Sequence, residues 1–212
     1  GIVCAAEPEL QIDLLDRYLL ACEIARIKPF IIFNKIDLLS PEQHSQRTAL
    51  FSLYRQLHYP VFFLSNKTGE GLEPLRQHLN GVGVIFVGQS GVGKSSVIRA
   101  LIPTSEARVA ELDSLHGRHT TSHTELYHLP QGGYLIDSPG VRAFALSPVD
   151  HTTLAQAFIE FRPYLDQCRF QDCSHLHEPG CAIKAAVEQG FISSSRYDRF
   201  KTVLASFPKS TY

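Results

Sequence analysis

Apolar positions recur at helical spacing through residues 10–27, where Leu10, Leu14, Leu15, Tyr18, Leu19 and Cys22 share one stripe. The unbroken apolar run of residues 29–33 that follows is strand-sized and ends at Asn34. Ser40-Pro41-Glu42 reads as an N-cap with proline in the first helical turn, and predicts a helix towards Leu57. Val61 to Leu64 predicts a strand, Glu73 to Leu79 a short helix, and Gly83 to Val87 a strand that runs into a glycine-rich turn. Residues 95–102 read as helix. Residues 124–129 and 133–136 read as two strands joined across Pro130-Gln131-Gly132, a hairpin. From Ser147 the pattern turns helical and polar, passes through a Cys/His cluster, and resumes as amphipathic helices near 182–189 and from Ser194. Strands alternating with helices predict an α/β fold, a parallel-rich sheet with helices on both faces. Ligands of such sheets bind at the carboxyl ends of the strands.

Composition narrows the class. The chain has 212 residues, 44% hydrophobic and 19% charged, which excludes disordered, collagen-like and disulfide-scaffold proteins. The net charge of −1 is evenly spread and provides no global attraction to nucleic acid or anionic membrane. An odd set of cysteines (Cys4, Cys22, Cys168, Cys173, Cys181), three of them crowded near the carboxyl end, argues against a disulfide framework and for a reducing, cytoplasmic setting. Cys4 and Cys22 lie among apolar residues and read as core fillers. No apolar run reaches membrane-spanning length. The chain lacks methionine and opens Gly1-Ile2-Val3 inside a strand, so a preceding segment is expected to be missing.

Four motifs follow predicted strands. Gly88-Gln89-Ser90-Gly91-Val92-Gly93-Lys94-Ser95 matches the phosphate-loop pattern, with Ser96 continuing into the helix. Its glycines let successive N–H groups face phosphate oxygens, Lys94 supplies a charge to the β- and γ-phosphates, and Ser95 offers a hydroxyl to Mg²⁺. Asn34-Lys35-Ile36-Asp37 fits guanine, because a buried Asp37 carboxylate can accept from the ring N–H and the exocyclic amine, an edge that adenine lacks. Lys35 can lay its stem along the base. Ser65-Asn66, after the next strand, sits where backbone N–H groups would meet the base oxygen. Asp137-Ser138-Pro139-Gly140 offers Asp137 to Mg²⁺ through water and the Gly140 N–H to the γ-phosphate. Between them, Gly117-Arg118-His119-Thr120-Thr121 supplies a threonine, taken as Thr121, able to ligate Mg²⁺ when the γ-phosphate is present. Cys168, Cys173 and Cys181 with one histidine, either His175 or His177, provide four ligands for one closed structural zinc site. That module is short of apolar mass, so metal loss is expected to unfold it.

The motif order is permuted: the base-reading pair at 34 and 65 precedes the phosphate loop at 88. This order resembles the circularly permuted GTPases. The words GQSGVGKSS, GRHTT and IDSPGVR, followed by Cys168-x4-Cys173-x-His175-x5-Cys181, resemble the small-ribosomal-subunit biogenesis GTPase family RsgA (YjeQ or EngC) over essentially the whole chain. The resemblance implies a permuted phosphate-loop GTPase domain over 1–147, a small helical zinc-binding domain over 148–212, and an N-terminal OB-fold absent from this chain. It selects His175 as the zinc ligand. It implies a GTPase acting late in small-subunit maturation, slow alone and stimulated by the subunit, whose partners are guanine nucleotide with Mg²⁺, the subunit and its rRNA. A monomer with no membrane partner is expected. Val141 stands where Ras-like enzymes carry the water-orienting glutamine, so His119 is the candidate catalytic residue beside Lys94 and Gly140. The alternatives are a nucleotide-inert, zinc-containing RNA-binding scaffold and an ATP-using phosphate-loop enzyme, the latter disfavoured by Asp37.

Overall fold

The structure, a computed structural model, describes residues 1–102, 109–111, 125–139 and 144–207. His119, Thr121 and Gly140 lie outside the described residues, as do Arg118, Thr120 and Val141. The chain divides into two compact units, Gly1–Gln11 with Pro29–Ala143, and Ile12–Lys28 with Phe144–Tyr212.

The first unit is built on a mixed sheet. Strands β1 (Ile2–Ala5), β2 (Ile31–Asn34) and β3 (Val61–Phe63) pair in parallel, with Ile2 opposite Ile31 and Ile31 opposite Val61. Strand β4 (Gly83–Phe86) continues beside β1 through the parallel bridge of Ile2 with Val87. It pairs in parallel with β7 (Tyr134–Asp137), which pairs antiparallel with β6 (Glu125–His128), and β6 with β5 (Val109–Glu111). Among the described residues the order is thus β3-β2-β1-β4-β7-β6-β5. The hairpin forms as its turn residues predict, and β5 is an edge strand that periodicity did not show.

Both faces carry helices. Alternate side chains Val3, Ala5, Ile32, Phe86 and Leu135 form one core with Leu75 of α3 (Leu72–His78) and Val97, Ile98 and Leu101 of α4 (Lys94–Leu101). The other face sets Phe33 against Phe51 of α2 (Pro41–Gln56), ring centroids 5.2 Å apart. Helix α2 starts where its cap predicts: the Ser40 hydroxyl accepts from the Gln43 N–H while the Gln43 side chain accepts from the Ser40 N–H.

The second unit is helical: α1 (Ile12–Ile24), α5 (His151–Ala157), α6 (Ala182–Glu188), α7 (Ser194–Ala205) and a 3₁₀ segment, Ile159–Gln167, that contains Pro163. Its buried residues include Leu20, Leu154, Phe158, Phe161, Ile183, Ile192, Phe200 and Val203. This corrects the expectation of a module poor in apolar mass. The missing mass is drawn partly from α1; Phe158 and Phe161 stack at 5.2 Å, and Phe200 meets both edge-on at 5.5 and 5.2 Å. Buried charge joins the same elements. Arg196, 1% exposed, donates to Asp16 and to Glu160, each at 2.6 Å, and lies 4.8 Å over the Phe158 ring.

Candidate functional site

The carboxyl ends of β2, β3, β4 and β7 deliver Asn34, Ser65, Gly88 and Asp137 in the first unit. Two glycines of the phosphate loop answer to close approach. Gly88 has φ +148°, and a Cβ there would stand 2.1 Å from the Val3 carbonyl oxygen. Gly93 has φ +94°, and a Cβ would stand 2.5 Å from Asn34 Nδ2. The loop ends at α4, whose first residue is Lys94.

The base-reading motif is tied to this loop by side chains. Asn34 Nδ2 donates to the Val92 carbonyl at 3.0 Å, and Lys35 Nζ donates to the Gly91 carbonyl at 2.9 Å. Lys35 takes a left-handed backbone, φ 63°, which turns the chain from β2 into the short 3₁₀ turn carrying Asp37. The Ser65 hydroxyl donates to Asp37 Oδ1 at 2.6 Å and accepts from the N–H groups of Lys67 and Thr68 at 3.2 Å. Asp37 is exposed, where the guanine argument took it as buried. The selectivity therefore requires the base itself to cover the carboxylate. Asn34 Oδ1 and Asn66 Oδ1 are buried with no hydrogen-bond partner among the described residues.

At the phosphate end, Lys94 Nζ donates to the carbonyls of Gly88 (3.0 Å) and Gln89 (3.3 Å), so its charge is held over the loop. Burial lowers its pKa from the ordinary lysine value, with the Asp137 charge opposing. Ser95 Oγ donates to Asp137 Oδ2 at 2.6 Å, and Asp137 Oδ1 is buried without a partner among the described residues. A hydroxyl and a carboxylate with an open lone pair converging beside a phosphate loop suit a hard divalent cation. The Ser138 hydroxyl anchors the turn by donating to the Phe86 carbonyl at 2.5 Å. Ser90 is exposed and Ser96 half-buried.

In the second unit the metal-ligating atoms of Cys168, Cys173, His175 and Cys181 lie within 4.8 Å of one another. His175 Nδ1 stands 3.6 Å from both Cys168 Sγ and Cys181 Sγ. Zinc bonds of about 2.0–2.3 Å at tetrahedral angles give ligand–ligand separations of about 3.5–3.8 Å, so both His175–cysteine separations suit that ion, and three thiols with one imidazole are the donor types it takes. His177 is exposed and outside the cluster. Burial pushes the Cys173 thiol up to about 12 and keeps the His175 ring below its ordinary value. Two surrounding residues escaped the sequence reading. The Tyr197 hydroxyl donates to the His175 carbonyl at 2.6 Å, from a separation at which no spacing rule speaks. Glu178 accepts hydrogen bonds from the loop between the ligands, and its only signal was its place between His175 and Cys181.

Strand order, phosphate loop and base reader together define a circularly permuted P-loop GTPase fold. The chain is 30% identical to YloQ, described as a circularly permuted GTPase, whose crystal structure it matches with a TM-score of 0.77 over 96% of this chain and 66% of that one. The RsgA GTPase family model matches residues 1–147, and the chain belongs to that family. A crystal structure of YjeQ from Thermotoga maritima is 33% identical, with a TM-score of 0.78 over 98% of this chain and 71% of that one. The small ribosomal subunit biogenesis GTPase RsgA of Sodalis glossinidius is 46% identical over 209 residues, 97% of this chain and 61% of the relative. The chain thus spans about three-fifths of the length of the curated relatives it matches. No helix among the described residues is long and apolar enough to cross a membrane.

Proposed function

We propose that this chain binds GTP and hydrolyses it to GDP and phosphate as an assembly factor of the small ribosomal subunit. The observation that carries the proposal is the bonding of Asn34 and Lys35 to the carbonyls of Val92 and Gly91, which makes the base reader and the phosphate loop one site. Asp37, held by Ser65, accepts from the two donors of the guanine edge. The phosphate loop from Gly88 to Ser96 wraps the phosphates with its N–H groups, and on nucleotide binding Lys94 exchanges its two carbonyl partners for phosphate oxygens. Ser95 and Asp137, with Thr121, hold Mg²⁺, which when bound neutralises charge developing on the phosphate oxygens.

Hydrolysis forms a bond from water oxygen to the γ-phosphorus and breaks the bond to the bridging oxygen of GDP. Valine at position 141 cannot orient that water, so we assign the task to His119, with the Gly140 N–H on the γ-phosphate. Cys168, Cys173, His175 and Cys181 would hold one zinc ion, whose role with four protein ligands would be structural. The relatives' name supports the small ribosomal subunit as the partner; contact with its rRNA, a monomeric state and a cytoplasmic setting are further parts of the proposal. The test is GTP turnover with and without small ribosomal subunits. Turnover rises with subunits and loses the rise in His119→Ala; equal rates with and without subunits contradict the reading.

A further inference from the structure

The loop that carries Cys173 and His175 is wound around one carboxylate that is not itself among the four clustered donors. Glu178 Oε1 accepts from the Ser174 N–H at 3.0 Å and from the Ser174 hydroxyl at 2.6 Å. Its Oε2 accepts from the N–H groups of Leu176 (3.2 Å) and His177 (3.1 Å). The Cys173 sulfur lies 3.8 Å from the same oxygen. Both oxygens therefore have their lone-pair directions engaged by the loop, which leaves Glu178 unsuited to be a fifth ligand.

His175 sits at the turning point with a left-handed backbone, φ 63°. Backbone N–H groups that converge from neighbouring residues on one concavity make an anion nest. The anion in this nest is supplied by the chain itself. Without it, the N–H groups of Ser174, Leu176 and His177 would lose the acceptor they share, leaving the Tyr197 hydroxyl on the His175 carbonyl as the remaining side-chain anchor named for this left-handed turn.

We infer that Glu178 is a positioning residue for the metal centre: it sets the loop so that His175 presents Nδ1 to the cysteines before any ion arrives. The inference rests on the reading that the cluster binds zinc. Ordering the ligands in advance removes part of the entropy lost on metal binding, so Glu178 acts on zinc affinity more than on the helical core, to which the metal loop contributes Cys173 and Cys181 while the other buried residues come from other segments.

The test is zinc affinity by chelator competition for the wild type, Glu178→Ala and Glu178→Gln, with hydrogen exchange on the zinc-free forms. In Glu178→Ala, zinc affinity is expected to fall about 10- to 100-fold. Exchange at residues 174–177 rises, and exchange in α5 and α7 does not. Glu178→Gln, which keeps one acceptor oxygen, falls between. Cobalt-loaded Glu178→Ala keeps the thiolate-to-metal absorption of the wild type, because no ligand is lost; a changed spectrum makes Glu178 a ligand and overturns the inference. Affinity unchanged within twofold in the variants also overturns it. Should Glu178→Ala not fold, Glu178→Gln decides alone by the same criterion. A wild type that takes up no zinc defeats the zinc reading instead.

Discussion

Arg196 donates to Asp16 at 2.6 Å across 180 residues of sequence, and each side chain is 1% exposed. Glu160 takes the other side of the guanidinium at 2.6 Å, and Arg199 reaches Asp16 at 2.8 Å. This network fastens α1, which in sequence separates β1 from β2, to the unit that carries the metal cluster. The same unit has an apolar core around Phe158, Phe161 and Phe200.

Removing one partner of a buried ion pair leaves the others buried without their counter-charge, at a cost of about 3–5 kcal/mol. Arg196→Ala is therefore expected to destabilise the second unit by about that much in urea denaturation. A loss under about 1 kcal/mol contradicts the role given to the network.

Asp150 caps α5, its carboxylate accepting from the Thr153 N–H at 2.8 Å and the Thr153 hydroxyl at 2.7 Å. Those bonds hold its pKa below the ordinary aspartate value. The folded pKa lies below the unfolded one, so the contribution is complete above the unfolded value near 4 and fades as pH falls through the folded value. Asp150→Ala should cost about 1 kcal/mol at neutral pH, measured by thermal unfolding. The gap to wild type should close in acid.

What the sequence made legible was local. The cap at Ser40, the phosphate loop and the Asn34–Asp37 motif are short-range patterns in which spacing dictates geometry, and each lies at the strand end expected of it. The allegiance of α1 was not legible. Its apolar stripe showed that it packs, not against what, and Asp16, which is not part of that stripe, gave no sign of the buried Arg196 it pairs with. The apolar mass of the second unit was underestimated for the same reason, since part of it comes from residues far away in sequence. The 3₁₀ segment at Ile159–Gln167 was hidden because Pro163 interrupts a helical pattern that tertiary packing nevertheless keeps wound.

Chelation of the metal follows from that core. Zinc removal is expected to loosen residues 168–181 and expose the Cys173 and Cys181 thiols to a thiol reagent, while the helical circular dichroism largely persists. Collapse of the helical signal would restore the expectation of a metal-dependent fold.

Lys94 is held over the phosphate loop in readiness for nucleotide. Lys94→Ala should lower GTP turnover about 10²- to 10³-fold with unchanged circular dichroism. Turnover within a few-fold of wild type would remove Lys94 from the chemistry.

Guanine selection through Asp37 tests the central reading most directly. Nucleotide binding by Asp37→Asn, titrated with GTP and with xanthosine triphosphate, is the measurement. Two charge-assisted hydrogen bonds at roughly 1.5–3 kcal/mol each are lost to guanine. The expected result is a GTP affinity lowered at least about 100-fold and a preference reversed towards xanthine, whose ring edge suits the amide. A variant that still prefers GTP as strongly as the wild type would contradict the account.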